Sequence, residues 1–169
     1  MKDNLVPVLV LVLLTAAYAL FVAGAATQLP ERVAIHFGIN GQADGWADRH
    51  QATMFFEMLT VVPAIFLVLA LVMGVMPAGA FNLPHRDYWL APERRAQTVA
   101  LISRQLIWMG CLMVLFLAGV FGLTIEANRL ASPQLPMTGF LALLVAFLTA
   151  TAVWTILFLR RFFKLPPQT

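Results

Sequence analysis

The sequence predicts an all-α membrane protein, a four-helix transmembrane bundle with a short extracytoplasmic loop of β-hairpin type. Of its 169 residues, 61% are hydrophobic and 11% are charged, against roughly 45–50% and 25% in ordinary soluble domains. The charged residues leave four stretches free, at 5–26, 58–78, 105–125 and 135–159. Each supplies the roughly 20 apolar residues that a helix needs to cross a bilayer. The composition excludes a soluble globular enzyme and predicts one membrane domain over residues 1–169.

Lys and Arg residues are unevenly divided between the two ends of the predicted bundle, and short loops rich in them stay in the cytoplasm. One end carries Lys2, Arg86, Arg94, Arg95, Arg104, Arg160, Arg161 and Lys164. The other end carries Arg32, Arg49 and Arg129. We therefore expect cytoplasmic N- and C-termini and an extracytoplasmic first loop, 27–57. Membrane topology accounts for the excess of basic residues. We therefore expect the lipid bilayer as a partner and no nucleic acid.

The first apolar stretch also allows a second interpretation, that of a cleaved signal peptide. Lys2 precedes it, and Ala23-Gly24-Ala25 is typical of a signal-peptidase site. The stretch is longer than the roughly 7–15 residues of a signal-peptide core, and Pro7 suits the first turn of a helix. We favour an uncleaved span, and either interpretation leaves the first loop outside.

Small residues recur at helical spacing in two of the stretches, which predicts close packing between helices in lipid. They are Thr15, Ala19 and Ala23 in the first stretch, and Ala142, Ala146 and Ala150 in the fourth. Pro63 is expected to kink the second span or to mark its outer first turns. The absence of charge within the stretches argues against a proton pump, a voltage sensor or a transporter with an intramembrane carboxylate.

The first loop carries the pattern of a small hairpin followed by a helix. Val33, Ile35 and Phe37 alternate with other residues, as in a short strand, and Asn40-Gly41 is a typical tight-turn dipeptide. Either Asp44 or Asp48 is expected to cap the helix that leads into the second span.

Four residues of this loop are candidate ligand-recognition residues: His36, Asn40, Asp44 and Trp46. Trp46 is expected at the headgroup level, where its amphipathic ring is favoured. An external metal or proton-transfer site built from His36, Asp44, Asp48 and His50 is an alternative, since imidazole and carboxylate suit zinc. Their spacing fits no established ligand motif, so we assign no metal, catalytic residue or cofactor. In the structural interpretation, His36 bonds within the hairpin and Asp44 caps the helix.

The second loop, 79–104, has the pattern of a bent segment that lies in the membrane interface on the cytoplasmic side. We call this segment the elbow. Pro92 is expected to begin a helix, with Glu93 near the positive end of its dipole. Tyr88 and Trp89 can lie in the interface plane, and Arg94 and Arg95 follow them. We favour a lipid-anchoring elbow over a docking surface for a cytoplasmic partner.

Two motifs resemble those of a known family. Leu29-Pro30, His36-Phe37, Gly41, Asp44 and Trp46 resemble the loop after the first span in the SdpI-associated domain of unknown function. The run Asn82-Leu83-Pro84, Tyr88-Trp89 and Pro92-Glu93-Arg94-Arg95 is similar to a segment in relatives of that domain. The chain departs from the family at Ala34 and Ala43, where proline is frequent.

The resemblance implies a protein of the bacterial inner membrane with an immunity or signalling role. Its partners would be an extracytoplasmic peptide ligand and a cytoplasmic regulator. We therefore expect a binding protein and not an enzyme, while its oligomeric state stays open. The alternatives are a membrane-embedded enzyme or metal-dependent factor using the outer His/Asp loop, and an accessory subunit of a larger membrane complex.

Overall fold

The computed structural model describes residues 4–164, which form six α-helices, a short 3-10 helix (Ala78–Ala80) and one two-stranded hairpin. Lys2 lies outside the described residues. The elements are α1 (Leu5–Ala26), β1 (Arg32–Phe37), β2 (Ala43–Asp48), α2 (Arg49–Met58), α3 (Val61–Val72), α4 (Arg86–Trp89), α5 (Pro92–Asn128) and α6 (Met137–Leu159). Four helical segments are long and apolar enough to cross a membrane: α1, α2 with α3, α5 and α6. The predicted fold class, four membrane helices with an antiparallel hairpin, is confirmed.

The second membrane segment differs from the uncharged stretch 58–78 that marks it in the sequence. Its helix begins at Arg49, because Asp48 Oδ1 accepts the backbone N–H of Gln51 at 2.8 Å and caps it. The helix is interrupted at Leu59 and Thr60, since Pro63 has no N–H to bond the carbonyl four residues earlier. It ends at Val72, and the remaining residues of the stretch form turns.

Helix α5 is the central element of the bundle. It contacts α1, α3 and α6, as well as α4 and the hairpin. Its 37 residues give it a length of about 55 Å, well beyond the roughly 30 Å of a hydrocarbon core. As predicted, it begins at Pro92. One continuous helix therefore connects the hairpin end of the molecule to the elbow end.

The core of the bundle's hairpin end is an aromatic cluster around Phe121, which is fully buried. The Phe121 ring lies 4.6 Å from that of Phe56, 5.1 Å from that of Phe21 and 6.5 Å from that of Tyr18, measured between centroids. Tyr18 Oη also donates to the Phe56 carbonyl at 3.1 Å. These contacts join α1, α2 and α5 directly beneath the hairpin.

Helix α6 packs mainly on α5, and none of its residues is buried. The Phe116 and Phe147 rings stack at 4.4 Å, and a Cβ at Gly119 would lie 2.8 Å from Leu143 Cδ2. Gly119 of α5 therefore permits this close approach, and Gly139 of α6 likewise faces Leu123 of α5, where a Cβ would lie 3.3 Å from Leu123 Cδ2. Ala142, Ala146 and Ala150 are exposed, so the prediction that this stripe packs within the chain is wrong.

Candidate functional site

The hairpin forms a two-sided cap at one end of the bundle. Strands β1 and β2 pair antiparallel, with Arg32 opposite Asp48 and Ala34 opposite Trp46, and the register shifts at His36. Val33 and Ala34 precede this shift and are both fully buried. Val33 belongs to the core of the bundle, whereas Ala34 lies opposite Trp46 on the other side of the ladder. One side of the hairpin thus lies on α2 and α5, and the other side faces outward.

The buried side is held by the side chain of Asn128, at the end of α5. Asn128 Oδ1 accepts the Ala34 N–H at 2.7 Å, and its Nδ2 donates to the carbonyls of Ala34 at 2.9 Å and Thr124 at 2.9 Å. The amide thereby bonds both backbone groups of Ala34, as a neighbouring strand would. A proline in place of Ala34 would have no N–H to donate. Asn128 was not predicted from the sequence, since none of the residues around it marks it as the partner of a strand.

The tip and base of the hairpin are fixed as well. At the tip, the Leu135 N–H donates to the Gly41 carbonyl at 2.8 Å. Gly41 has φ +79°, and a Cβ there would lie 2.9 Å from the Leu135 oxygen, so glycine is required. At the base, the Arg49 N–H donates to the Glu31 carbonyl at 3.0 Å. The hairpin is therefore attached to α5, to the α5–α6 connection and to the start of α2.

The outward side presents a histidine and a carboxylate in direct contact. His36 Nδ1 bonds Asp44 Oδ1 across the hairpin, while 72% and 54% of the two side chains stay exposed. The carboxylate accepts the N–H at Nδ1, which leaves Nε2 for a further partner. The two residues can approach because position 45 is glycine: a Cβ there would lie 2.6 Å from His36 Cβ.

A cation and an aromatic ring share this outward side. The Arg32 guanidinium lies 4.8 Å from the centroid of the Trp46 ring, which is within the range of a cation–π contact. Trp46 was predicted as a recognition residue. Arg32 was considered only as one of the basic residues that indicate the orientation in the membrane. We name Arg32, His36, Asp44 and Trp46 the outer face of the hairpin.

The remaining predicted loop residues have structural contacts. Asn40 bonds Gln42 within the turn, at 3.0 and 3.1 Å. Asp48 caps α2, so the alternative that Asp44 caps this helix is wrong: Asp44 lies inside β2. Within residues 4–164, no group of three or more His, Cys, Asp or Glu residues is placed to hold a metal ion. The four-residue His/Asp site is not assembled, because Asp48 is used as a cap and His50 lies in the first turn of α2.

The elbow lies at the end of the molecule opposite the hairpin, and its side chains contact other residues of the chain. Trp89 Nε1 donates to the Phe162 carbonyl at 3.3 Å, and Arg95 Nη2 donates to the Met76 carbonyl at 2.7 Å. Arg94 lies over the Tyr88 ring at 4.1 Å and pairs with Glu93 at 2.9 Å. These contacts join the elbow to α5 and to the segments that follow α3 and α6.

One family model matches this chain, that of a domain of unknown function (DUF1648), over residues 10–61. The matched residues run from α1 through the hairpin to the start of α3 and include the whole first-loop motif. The elbow motif lies outside them. No curated protein and no solved structure matches the chain. The chain is therefore a membrane protein, by its four apolar helices, with a match to a domain of unknown function.

Proposed function

We propose that this protein binds an extracytoplasmic peptide through the outer face of its hairpin, in an immunity or signalling role and without catalysis. The observation that carries the proposal is the exposed His36–Asp44 pair. It lies on a hairpin whose position is fixed by other contacts. An exposed ion pair typically contributes little to stability. The hairpin already has Asn128, the Gly41–Leu135 bond and a buried side to fix it.

The chemistry of the outer face suits a peptide. Asp44 can accept from an ammonium or amide N–H, His36 Nε2 offers one further polar contact, and Arg32 can pair with a carboxylate. The Trp46 ring adds apolar area and remains 39% exposed. Aromatic and arginine side chains are also the residue types enriched where protein surfaces bind tightly.

The location of the outer face outside the bacterial inner membrane is part of the proposal. The elbow end and the residues after α6 carry Arg86, Arg94, Arg95, Arg104, Arg160, Arg161 and Lys164, whereas the hairpin end carries Arg32, Arg49 and Arg129. This asymmetry favours a cytoplasmic elbow and cytoplasmic termini.

A relay to a cytoplasmic regulator is a second candidate, favoured by the continuity of α5. Its last turn bonds the hairpin through Asn128, and its first turns bond the elbow, since Thr98 Oγ1 donates to the Trp89 carbonyl at 2.8 Å. A relay additionally requires two states of the bundle whose balance the ligand shifts.

The test is photo-cross-linking in intact cells from position 39, where Ile39 is 98% exposed at the hairpin tip. We expect a discrete cross-linked peptide that disappears in the His36→Ala/Asp44→Ala variant at equal membrane abundance. A cross-linker at exposed Ser132, off the hairpin, is the matched control and should not capture it. Ile39→Cys in a Cys111→Ala background should react with an impermeant thiol reagent added outside the cell.

Three outcomes would contradict the proposal. The first is an identical capture pattern in the wild type and the double variant, and the second is labelling of Ile39→Cys only after the cells are opened. The third is capture of a large membrane protein in place of a peptide, which would favour the accessory-subunit alternative. A membrane-embedded enzyme or metal-dependent factor would instead show an activity that a chelator and His36→Ala both abolish.

A further inference from the structure

A cleft of about 720 Å³ lies between α1 and α5 at the hairpin end of the bundle. It is separate from the outer face of the hairpin and shares no residue with it. Gly24 of α1 and Gly122 of α5 line its membrane-facing part, and Glu126 and Arg129 line its rim.

The membrane-facing part of the cleft is apolar and open. A Cβ at Gly24 or at Gly122 would meet no atom within 4 Å, so both glycines border free space. Leu20 and Phe21 beside them are 74% and 42% exposed. Apolar side chains exposed on a membrane-spanning helix face lipid chains, which can therefore enter the cleft from the side.

The rim of the cleft is polar and carries both signs of charge. Glu126 lies in the last turn of α5, Arg129 directly follows the helix, and both are exposed. Arg129 Nη2 reaches Gln28 Oε1 only at 3.4 Å, at the long limit of a hydrogen bond. Among the described residues, the side chains of Glu126 and Arg129 form no ion pair with each other. A carboxylate and a guanidinium thus lie side by side above an apolar cleft.

We propose that this cleft binds one zwitterionic phospholipid with a primary ammonium, of the phosphatidylethanolamine class. Arg129 binds the phosphate, for which a guanidinium has matching bidentate geometry. Glu126 accepts from the ammonium, and the upper part of an acyl chain lies along Gly24 and Gly122. The charge pair selects the headgroup: an anionic lipid without an amine leaves Glu126 facing negative charge, and a quaternary amine has no N–H to donate.

Lipid retention measured by native mass spectrometry tests this site. The full chain is reconstituted in phosphatidylcholine vesicles containing equal fractions of phosphatidylethanolamine and phosphatidylglycerol, then extracted in mild detergent. We expect one retained phosphatidylethanolamine per chain. Arg129→Gln and Glu126→Gln should each lower retention roughly tenfold, the scale of one charge-assisted hydrogen bond. Gly122→Leu, whose Cβ would meet no atom within 4 Å, places an isobutyl side chain in the cleft and should abolish retention.

Arg49→Gln is the matched control, because Arg49 is an exposed arginine at the same end of the molecule and does not line the cleft. Its retention should equal that of the wild type. Equal retention of all three lipids by the wild type would overturn the proposal, as would equal losses in Arg49→Gln and Arg129→Gln. His36→Ala/Asp44→Ala should leave retention unchanged, so a failure here is distinguishable from a failure of the proposed peptide binding.

Discussion

Replacing Asn128 by leucine should lower the free energy of unfolding by about 3 kcal/mol, because it removes three hydrogen bonds and leaves the buried backbone groups of Ala34 without partners. Leucine has the same branched shape as asparagine with bulkier methyl groups, so the substitution opens no cavity and the loss reports the missing hydrogen bonds together with local crowding. The measurement is denaturant unfolding in mild detergent, followed by circular dichroism, together with limited proteolysis of residues 27–57.

The control for this prediction is Asn82→Leu, since Asn82 is exposed in the elbow. It should leave both the unfolding free energy and the proteolysis pattern close to those of the wild type. Equal stability of the Asn128 and Asn82 variants would show that the amide does not hold the hairpin.

Phe121→Ala should cost about 3–5 kcal/mol of stability, the usual range for emptying a buried phenylalanine site. The ring contacts three aromatic side chains from α1 and α2, and rigid helices cannot collapse fully into the space it leaves. In lipid, this packing is itself a main source of helix association. The same unfolding measurement applies.

Phe163→Ala is the matched control, because Phe163 is 64% exposed after α6 and should change stability little. If Phe121→Ala is no more destabilising than Phe163→Ala, the aromatic cluster is not the core of the hairpin end.

The membrane fold was predictable from the sequence because its signals are local. Charge-free stretches predict four spans, Asn40-Gly41 predicts the hairpin turn, and Pro92 predicts the start of α5. The start of the second membrane segment was harder to predict, since residues 49–57 carry charges and polar groups that interrupt the apolar pattern. The interruption before Pro63 agrees with the expected effect of a proline.

The contacts between distant segments were not predictable. Asn128 and Ala34 are 94 residues apart, and no local pattern distinguishes a buried amide that bonds a strand from a polar residue at a span end. For the same reason, the alanine stripe of α6 was assigned to packing although it is exposed. At the hairpin, the sequence predicted His36, Asn40, Asp44 and Trp46 as recognition residues; His36, Asp44 and Trp46 lie on the outer face, whereas Asn40 bonds Gln42 within the turn. Arg32 joined them only through the cross-strand geometry.

The most direct test of the central claim compares amide hydrogen exchange over residues 32–48 in three proteins: the wild type, Asn128→Leu and His36→Ala/Asp44→Ala. If the hairpin is held from its buried side and its outer face is free for binding, the double variant should keep wild-type protection. Asn128→Leu should lose that protection. The claim would be contradicted if the double variant lost protection to the same extent as Asn128→Leu. The His36–Asp44 pair would then stabilise the hairpin and would not be a recognition site.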